Sequence, residues 1–278
     1  MNFAEKFGVW MNTLTEDQCK KFAELGYLVI DFEFSKLLLD EVITHVSYLY
    51  RKDPCSEIGA PRRVQDAWKT VNAVRKLAVS SVVLSALKQL FDREPLPFQT
   101  LNFPVGTCQR SHSDTVHFNS IPSGFMVGVW VALEDIDEAN GPLQYYPGSH
   151  KLPEYSMQDF NLEVGYSNYH KYEECIDNLI KEEKLVAEFG LVKRGEAIIW
   201  HPNLLHGGAE QLDPMRTRHS QVTHYFFSDC QYITPMEGSK ERPSYREPLW
   251  IPKTLEELQS LSETSVLKKI RRIARKVF

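Results

Sequence analysis

From about residue 97 the sequence is dominated by short apolar segments that are rich in aromatic and β-branched residues and bounded by Gly, Pro or Asn. In order, these segments are FQTLNFPVGT, GFMVGVWVALEDI, LQYYPGSH, GEAIIWHP and RHSQVTHYFF. Short strands separated by loop-length gaps are typical of antiparallel sandwiches and barrels. The sequence therefore predicts a mainly β core over about residues 95–235.

The first part of the chain, about residues 1–94, is predicted to be mostly helical. Thr15 and Gln18 stand in capping-box register, Gly26 ends this helix, and the YLVID segment that follows reads as a strand. Further helical patterns lie near residues 34–51, 65–77 and 79–92. A polar, Tyr-rich stretch at about 151–190 interrupts the strands, and an insertion of this length predicts a lid over one end of the core.

Composition limits the classes of protein to which the chain can belong. Its 278 residues suffice for one large domain, and no repeat or low-complexity linker divides residues 1–278. A formal net charge of −5 gives no sign of nucleic-acid binding. Five widely spread cysteines without a C-x-x-C motif are typical of a reducing compartment. With no signal peptide and no apolar stretch of about 18 residues, the protein is expected in the cytoplasm.

The C-terminal tail, about residues 262–278, is basic and amphipathic. It ends in VLKKIRRIARKVF, which carries six basic residues and no acidic one, and its apolar residues fall on one face of a helix. One interpretation is peripheral contact with an anionic membrane, which would place the protein at the inner face of that membrane. The other is a solvated helix that packs on the domain itself.

The segment QRSHSDTVHF, residues 109–118, reads as a strand yet contains two histidines and an aspartate. Because side chains at i and i+2 of a strand point to the same side, His112 and Asp114 are expected to project together. With a histidine from a distant strand they would form a two-His, one-carboxylate triad, which binds Fe(II) and leaves positions open for chemistry. The segment GEAIIWHPNLLHGG offers His201 or His206 as that third ligand.

A later strand carries a basic residue that needs a partner. Arg218, Ser220, Val222 and His224 alternate onto one face of RHSQVTHYFF. An arginine that points into a barrel requires an anion. A planar guanidinium suits a carboxylate, and the far carboxylate of 2-oxoglutarate would serve.

These segments together resemble the phytanoyl-CoA dioxygenase family of Fe(II)/2-oxoglutarate oxygenases. The residues that carry the resemblance are HSD (112–114), GVWVALED (128–135), NGPLQYYPGSH (140–150), WHPNLLHGG (200–208) and the strand of Arg218. The resemblance covers about residues 95–230. It implies a double-stranded β-helix, a jelly roll of two facing sheets, with helices packed outside.

The resemblance also implies roles for particular residues. His112, Asp114 and His206 would be the iron ligands, with His206 preferred to His201 because the family places its ligand before a pair of glycines. Arg218 would bind the C5 carboxylate of 2-oxoglutarate. Two further residues are expected beside this cosubstrate, namely Trp130 and Ser220.

The implied reaction uses Fe(II), 2-oxoglutarate and O₂, hydroxylates an unactivated C–H bond, and releases succinate and CO₂. Asp114 argues against a halogenase, in which chloride takes the place of the carboxylate ligand. It also argues against a three-His site that includes His117, for which a role beside the ligands or the substrate is preferred. Two alternatives of other classes stay open: an inactive jelly-roll binding module and a cupin-like metal isomerase.

The substrate is predicted to be a polar small molecule or a lipid or sugar intermediate. The residues expected to face it are Arg110, His117, Asn119 and Tyr145, together with the 151–190 insertion. Their polar and aromatic character suits a hydroxylated or anionic molecule better than a bare hydrocarbon.

Deletion of residues 262–278 tests the membrane interpretation of the tail. Each Lys or Arg near an anionic surface is worth about 1 kcal/mol, so the full-length protein should bind anionic vesicles in a salt-sensitive manner. The truncated protein should bind less in a sedimentation assay and keep its turnover of a soluble substrate. Equal vesicle binding by both proteins at low salt would support the packed-helix interpretation.

Overall fold

Two antiparallel sheets form the body of the protein in a computed structural model, which describes residues 13–50, 63–254 and 256–261. The basic tail at 262–278 lies outside the described residues. In chain order the strands are β1 (Tyr27–Asp31), β2 (Val64–Gln65), β3 (Pro95–Phe103), β4 (Asn119–Ile121), β5 (Met126–Ala132), β6 (Leu143–Tyr145), β7 (Glu188–Phe189), β8 (Glu196–Trp200), β9 (His206–Gly208), β10 (Ser220–Phe227) and β11 (Gln231–Ile233). The helices are α1 (Glu16–Leu25), α2 (Lys36–Tyr50), α3 (Asn72–Ala78), α4 (Ser81–Phe91) and α5 (Tyr169–Glu182).

The larger sheet has the strand order β1-β8-β5-β10-β3-β2, and the smaller sheet has the order β7-β6-β9. Strands β4 and β11 form a separate two-stranded ribbon. Side chains of both sheets meet in one apolar cluster, to which Trp130 and Val222 of the larger sheet and Tyr145 of the smaller sheet belong. This is the predicted jelly roll, with a core between two facing sheets.

Strand β5 contributes side chains to two separate apolar cores. All its residues are buried, because one face packs on helices and the other faces the second sheet. Val127, Val129 and Val131 join the cluster that includes residues of α2, α3 and α4, whereas Trp130 and Ala132 join the cluster between the sheets. A strand buried on both faces explains why this segment is continuously apolar.

The N-terminal half follows the sequence prediction with one exception. Thr15 and Gln18 form the predicted capping box of α1, and Gly26 ends the helix with φ +79°. The helix predicted over 65–77 was wrong for its first half. There the chain pairs with β3 before α3 begins, and Asp66, at φ +54°, accepts a hydrogen bond from Thr100 N at 3.2 Å. Pairing with β3 at this point prevails over local helix propensity.

The strand predicted over residues 109–118 was also wrong. His112 makes a single bridge to His206, and a 3₁₀ turn begins at Asp114. Ser113 starts this turn, since its Oγ accepts a hydrogen bond from Thr115 N at 3.2 Å. Ser and Asp favour such capped turns over strands because their side chains bond to nearby backbone groups.

The insertion at 151–190 contains helix α5 and is packed on the body of the protein. Tyr172 and Ile176 of α5 are buried in a cluster with Val116 and Leu205, which flank the segments of Asp114 and His206. Shared apolar packing thus joins the insertion to the segments of Asp114 and His206. None of the described helices combines the length and apolarity needed to span a bilayer.

Gly128 makes a testable contribution to the larger sheet. It lies opposite Trp200 in the β5–β8 pair, and a Cβ atom at this position would overlap the indole ring. Overpacking of this kind costs about 1–3 kcal/mol, so Gly128→Ala should lower the free energy of unfolding by that amount in a denaturant titration. In a Trp200→Phe background the loss should be smaller, since the indole atoms that clash are gone. Additive effects of the two substitutions would contradict this explanation.

Candidate metal centre

His112, Asp114 and His206 converge on one point inside the jelly roll. Their potential ligand atoms all lie within 4.8 Å of one another, and all three residues are buried. Asp114 Oδ1 is 3.8 Å from His112 Nε2 and 3.9 Å from His206 Nε2. This cluster is the one group of three metal-ligating side chains found in the described parts of the chain.

The backbone positions the two histidines directly. His112 N donates to His206 O at 2.9 Å, and His206 N donates to His112 O at 3.0 Å. Each imidazole Nδ1 lies close to the carbonyl oxygen two residues earlier, at 3.0 Å for His112 and 2.9 Å for His206. A proton on Nδ1 that donates to this carbonyl leaves Nε2 with its lone pair, as metal ligation requires.

Asp114 is held by residues that the ligand motif does not contain. Trp200 Nε1 donates to Asp114 Oδ2 at 2.7 Å, and His224 Nε2 lies 3.8 Å from the same oxygen. Oδ1 is left to face the two ligand histidines. One carboxylate oxygen therefore anchors the side chain while the other points to the metal position.

The pKa values of His112 and Asp114 favour the binding of a cation. Burial, followed by the proximity of His206, lowers the pKa of His112 to about 3, so its imidazole is neutral at pH 7. Burial raises the pKa of Asp114, but the surrounding imidazoles and the Trp200 N–H outweigh it and lower that pKa to about 2. The centre thus offers the neutral imidazole of His112 and one carboxylate charge, which suits a divalent ion.

The three residues lie at the wall of a cavity of about 620 Å³. Phe103, Trp130 and Arg218 line one part of it, and His117, Phe118 and Tyr166 line another. A cavity of this size accommodates two small molecules beside a metal ion.

Arg218 is a buried cation that faces this cavity without a carboxylate partner among the described residues. Its Nη2 donates to Val105 O at 3.2 Å, whereas its Nε has no hydrogen-bond partner. Burial lowers its pKa to about 10, so it stays protonated at pH 7. Trp130 Nε1, which lines the same cavity, is likewise buried and unsatisfied, and so is Ser220 Oγ, although Ser220 is not part of the cavity lining. A carboxylate would satisfy Arg218 and Trp130, so the site fits 2-oxoglutarate beside Fe(II).

The predicted substrate residues are placed apart from one another. His117 lines the cavity, 4.7 Å from the Tyr169 ring between centroids. The other three predicted residues do not line it. Arg110 pairs with Asp177 of α5 at 2.6 Å, Asn119 donates to Glu154 at 2.8 Å, and Tyr145 packs between the sheets. Their positions follow from contacts distant in sequence.

His201, the other candidate ligand, lies outside the cavity lining. Its Nδ1 accepts a hydrogen bond from Asn203 N at 3.2 Å, and its ring lies 5.3 Å from that of His150. His150 Nε2 in turn lies 3.1 Å from Ala23 O. This pair connects a loop to the end of α1.

Several cavity residues were not identified from sequence. Trp200 gave a weak signal, as an aromatic residue at the end of an apolar strand. His224 was expected on the face of Arg218, but no role in the site was predicted for it. Arg63 and Arg246 gave no signal in the sequence, because both lie in irregular segments. Arg246 also lies beyond residue 235, the predicted end of the core.

Solved structures share this fold. The non-haem alpha-ketoglutarate-dependent carbocyclase SnoK from nogalamycin biosynthesis superposes with a TM-score of 0.66 at 17% identity, over 86% of this chain and 95% of that chain. EctD from S. alaskensis, solved with 2-oxoglutarate and 5-hydroxyectoine, gives a TM-score of 0.64 at 20% identity, over 86% and 87%. At these identities the likeness establishes the fold.

Sequence comparison identifies the family. Among curated relatives, peroxisomal phytanoyl-CoA dioxygenase of Mus musculus is 33% identical over 262 residues, which is 83% of this chain and 73% of that protein. The Rattus norvegicus protein is 33% identical over 131 residues, 47% of this chain but 37% of that protein. The chain thus spans less than half the length of several relatives it matches. The family model described as phytanoyl-CoA dioxygenase (PhyH) matches residues 12–220. The chain belongs to the phytanoyl-CoA dioxygenase family of Fe(II)/2-oxoglutarate-dependent dioxygenases.

Proposed function

We propose that this protein is an oxygenase that hydroxylates an unactivated C–H bond of a small molecule and releases succinate and CO₂. The observation that carries the proposal is one cavity that holds both the His112–Asp114–His206 cluster and the unpaired, buried Arg218. Fe(II) and 2-oxoglutarate, when bound, supply the activation of O₂ and its coupling to oxidative decarboxylation.

The residues of the chain have distinct tasks in this reaction. His112, Asp114 and His206 would hold the metal and leave other coordination positions open. Arg218 would bind the far carboxylate of 2-oxoglutarate with Trp130 as a further donor in the cavity, and Ser220 follows Arg218 by two residues in the chain. These groups are fixed by packing before the ligands arrive, so little reorganisation is needed.

Water must be kept from the reacting atoms. The metal-facing side chains are buried, and Tyr166 and His117, with rings 6.4 Å apart and nearly parallel, line the cavity beside them. A substrate that fills this part of the cavity would exclude water and place its C–H bond beside the residues that would hold the metal.

The substrate is proposed to be a polar small molecule or a lipid or sugar intermediate. The curated relatives are named for phytanoyl-CoA. The alternatives of an inactive binding module and a metal isomerase are separated from an oxygenase by one assay. Succinate release that depends on Fe(II), O₂ and 2-oxoglutarate would exclude both.

Replacement of Asp114 tests the metal site. Asp114→Ala removes the one carboxylate ligand, and even residues that only support ligands are worth 10–100-fold in metal affinity. We expect bound iron, measured by elemental analysis, and succinate formation to fall by more than about 100-fold. His201→Ala, a matched histidine outside the cavity, should retain both. Full iron content in Asp114→Ala, or its loss in His201→Ala, would overturn the assignment.

Arg218→Lys tests the cosubstrate site. Lysine keeps the charge but lacks the planar pair of donors, and a hydrogen bond to a charged group contributes about 1.5–3 kcal/mol. The KM for 2-oxoglutarate should therefore rise by roughly tenfold or more. Arg216→Lys is the control, because Arg216 pairs with Asp137 at the surface, 3.0 Å away. An unchanged KM in Arg218→Lys would assign the carboxylate to another cation.

A further inference from the structure

Two more arginines, Arg63 and Arg246, line the same cavity away from Arg218. Neither forms an ion pair within residues 63–254. Three other arginines, Arg110, Arg194 and Arg216, pair with carboxylates at 2.6, 2.6 and 3.0 Å. Arg63 and Arg246 thus bring two guanidinium groups without an ion-pair partner in residues 63–254 to one cavity.

Arg246 is held in place by aromatic rings. Its guanidinium carbon lies 5.0 Å from the ring centre of Phe118, 5.2 Å from that of Phe98 and 6.0 Å from that of Phe226. Cation–π contacts orient the group without neutralising its charge. Its donors are therefore available to a ligand in the cavity.

The position of Arg246 differs from that of Arg218 along the barrel. Arg218 lies two residues before the start of β10, whereas Arg246 packs on Phe226, at the other end of that strand. His224, which is 3.8 Å from Asp114, lies between them in the strand. Arg63 and Arg246 line the same cavity as His224 and Asp114, so a ligand in this cavity can contact both the arginines and the metal-binding wall.

Two carboxylates, Glu237 and Glu247, also line the cavity, but both are exposed. Exposed carboxylates remain hydrated and screened. Arg246 is partly buried, and neither carboxylate forms an ion pair with it in the described residues. The exposed carboxylates therefore do not satisfy Arg246.

We infer that Arg63 and Arg246 bind an oxyanion of the substrate, a carboxylate or a phosphate, while the reacting part lies against Phe118 and His117 at the metal. The inference rests on the proposed function and adds the substrate class: a small acid whose charged group lies apart from the reacting carbon. Planar guanidinium groups bind both oxyanions through paired hydrogen bonds.

Binding of simple probes to the full chain tests this site. Phenylacetate, phenyl phosphate and neutral phenylacetamide are titrated by calorimetry, without oxygen, in the presence of Fe(II) and saturating 2-oxoglutarate so that Arg218 is occupied. Phenylacetate or phenyl phosphate should bind at least about tenfold more tightly than phenylacetamide. A stronger signal from phenylacetate identifies a carboxylate site, and one from phenyl phosphate identifies a phosphate site. Equal affinity for all three probes would overturn the inference.

Substitutions of Arg63 and Arg246 test whether these residues cause the tighter binding of the anionic probes. Arg63→Gln and Arg246→Gln should each weaken binding of the anionic probe by about tenfold and leave phenylacetamide unchanged. Arg216→Gln, which removes the same charge outside the cavity, should bind as the wild type does. Because Arg246 also packs on aromatic rings, Arg246→Gln is checked by its melting temperature, and the exposed Arg63 provides the test if that variant unfolds. Wild-type affinity in Arg63→Gln and in a folded Arg246→Gln would overturn the inference.

The probe titrations are repeated without Fe(II) and 2-oxoglutarate, so that probe binding is measured independently of oxygenase activity. Succinate formation is measured in separate assays that contain Fe(II), 2-oxoglutarate and O₂. Arginine-dependent binding of an anionic probe without any succinate formation, from any acid tested, would overturn the proposed oxygenase and support this site. Succinate formation that is stimulated equally by acids and their amides would support the oxygenase and overturn this site.

Discussion

The structure depends on one carboxylate kept ionised inside the jelly roll. An isolated charge in such an interior is strongly unfavourable, so Asp114 must be surrounded by groups that stabilise it. Trp200, His224 and the two ligand histidines do so, and each comes from a different segment of the chain. The close approach of Gly128 to Trp200 belongs to the same arrangement, because it lets the indole lie flat against β5.

Strand β10 organises the cavity from end to end. It pairs with β3 and β5 over its whole length, so its residues are fixed on both sides. Arg218 precedes it, His224 lies beside the metal ligands, and Phe226 contacts Arg246. A rigid central strand thus sets the spacing between two positive groups and the metal position, which is the geometry needed to orient two anionic ligands around one centre.

Some parts of the fold and of the site could be predicted from the sequence, and others could not. The strands and the α1 cap follow local periodicity and turn chemistry, and those predictions were correct at 15–31 and in β5, β8 and β10. His112 and Asp114 do face one point, but through a backbone bridge and a capped turn, and not through strand alternation. Arg246 could not be found, because its place depends on packing against Phe98 and Phe226, far away in sequence. Arg110 was misplaced for the same reason, since α5 supplies its acidic partners.

The reciprocal backbone bonds between His112 and His206 have a consequence for how the protein matures. These bonds join the 112 segment to the edge of β9 and involve no metal. The distance between the two imidazoles is therefore fixed by the main chain when the smaller sheet forms. An ion would therefore enter a site whose two imidazoles are already spaced by the main chain.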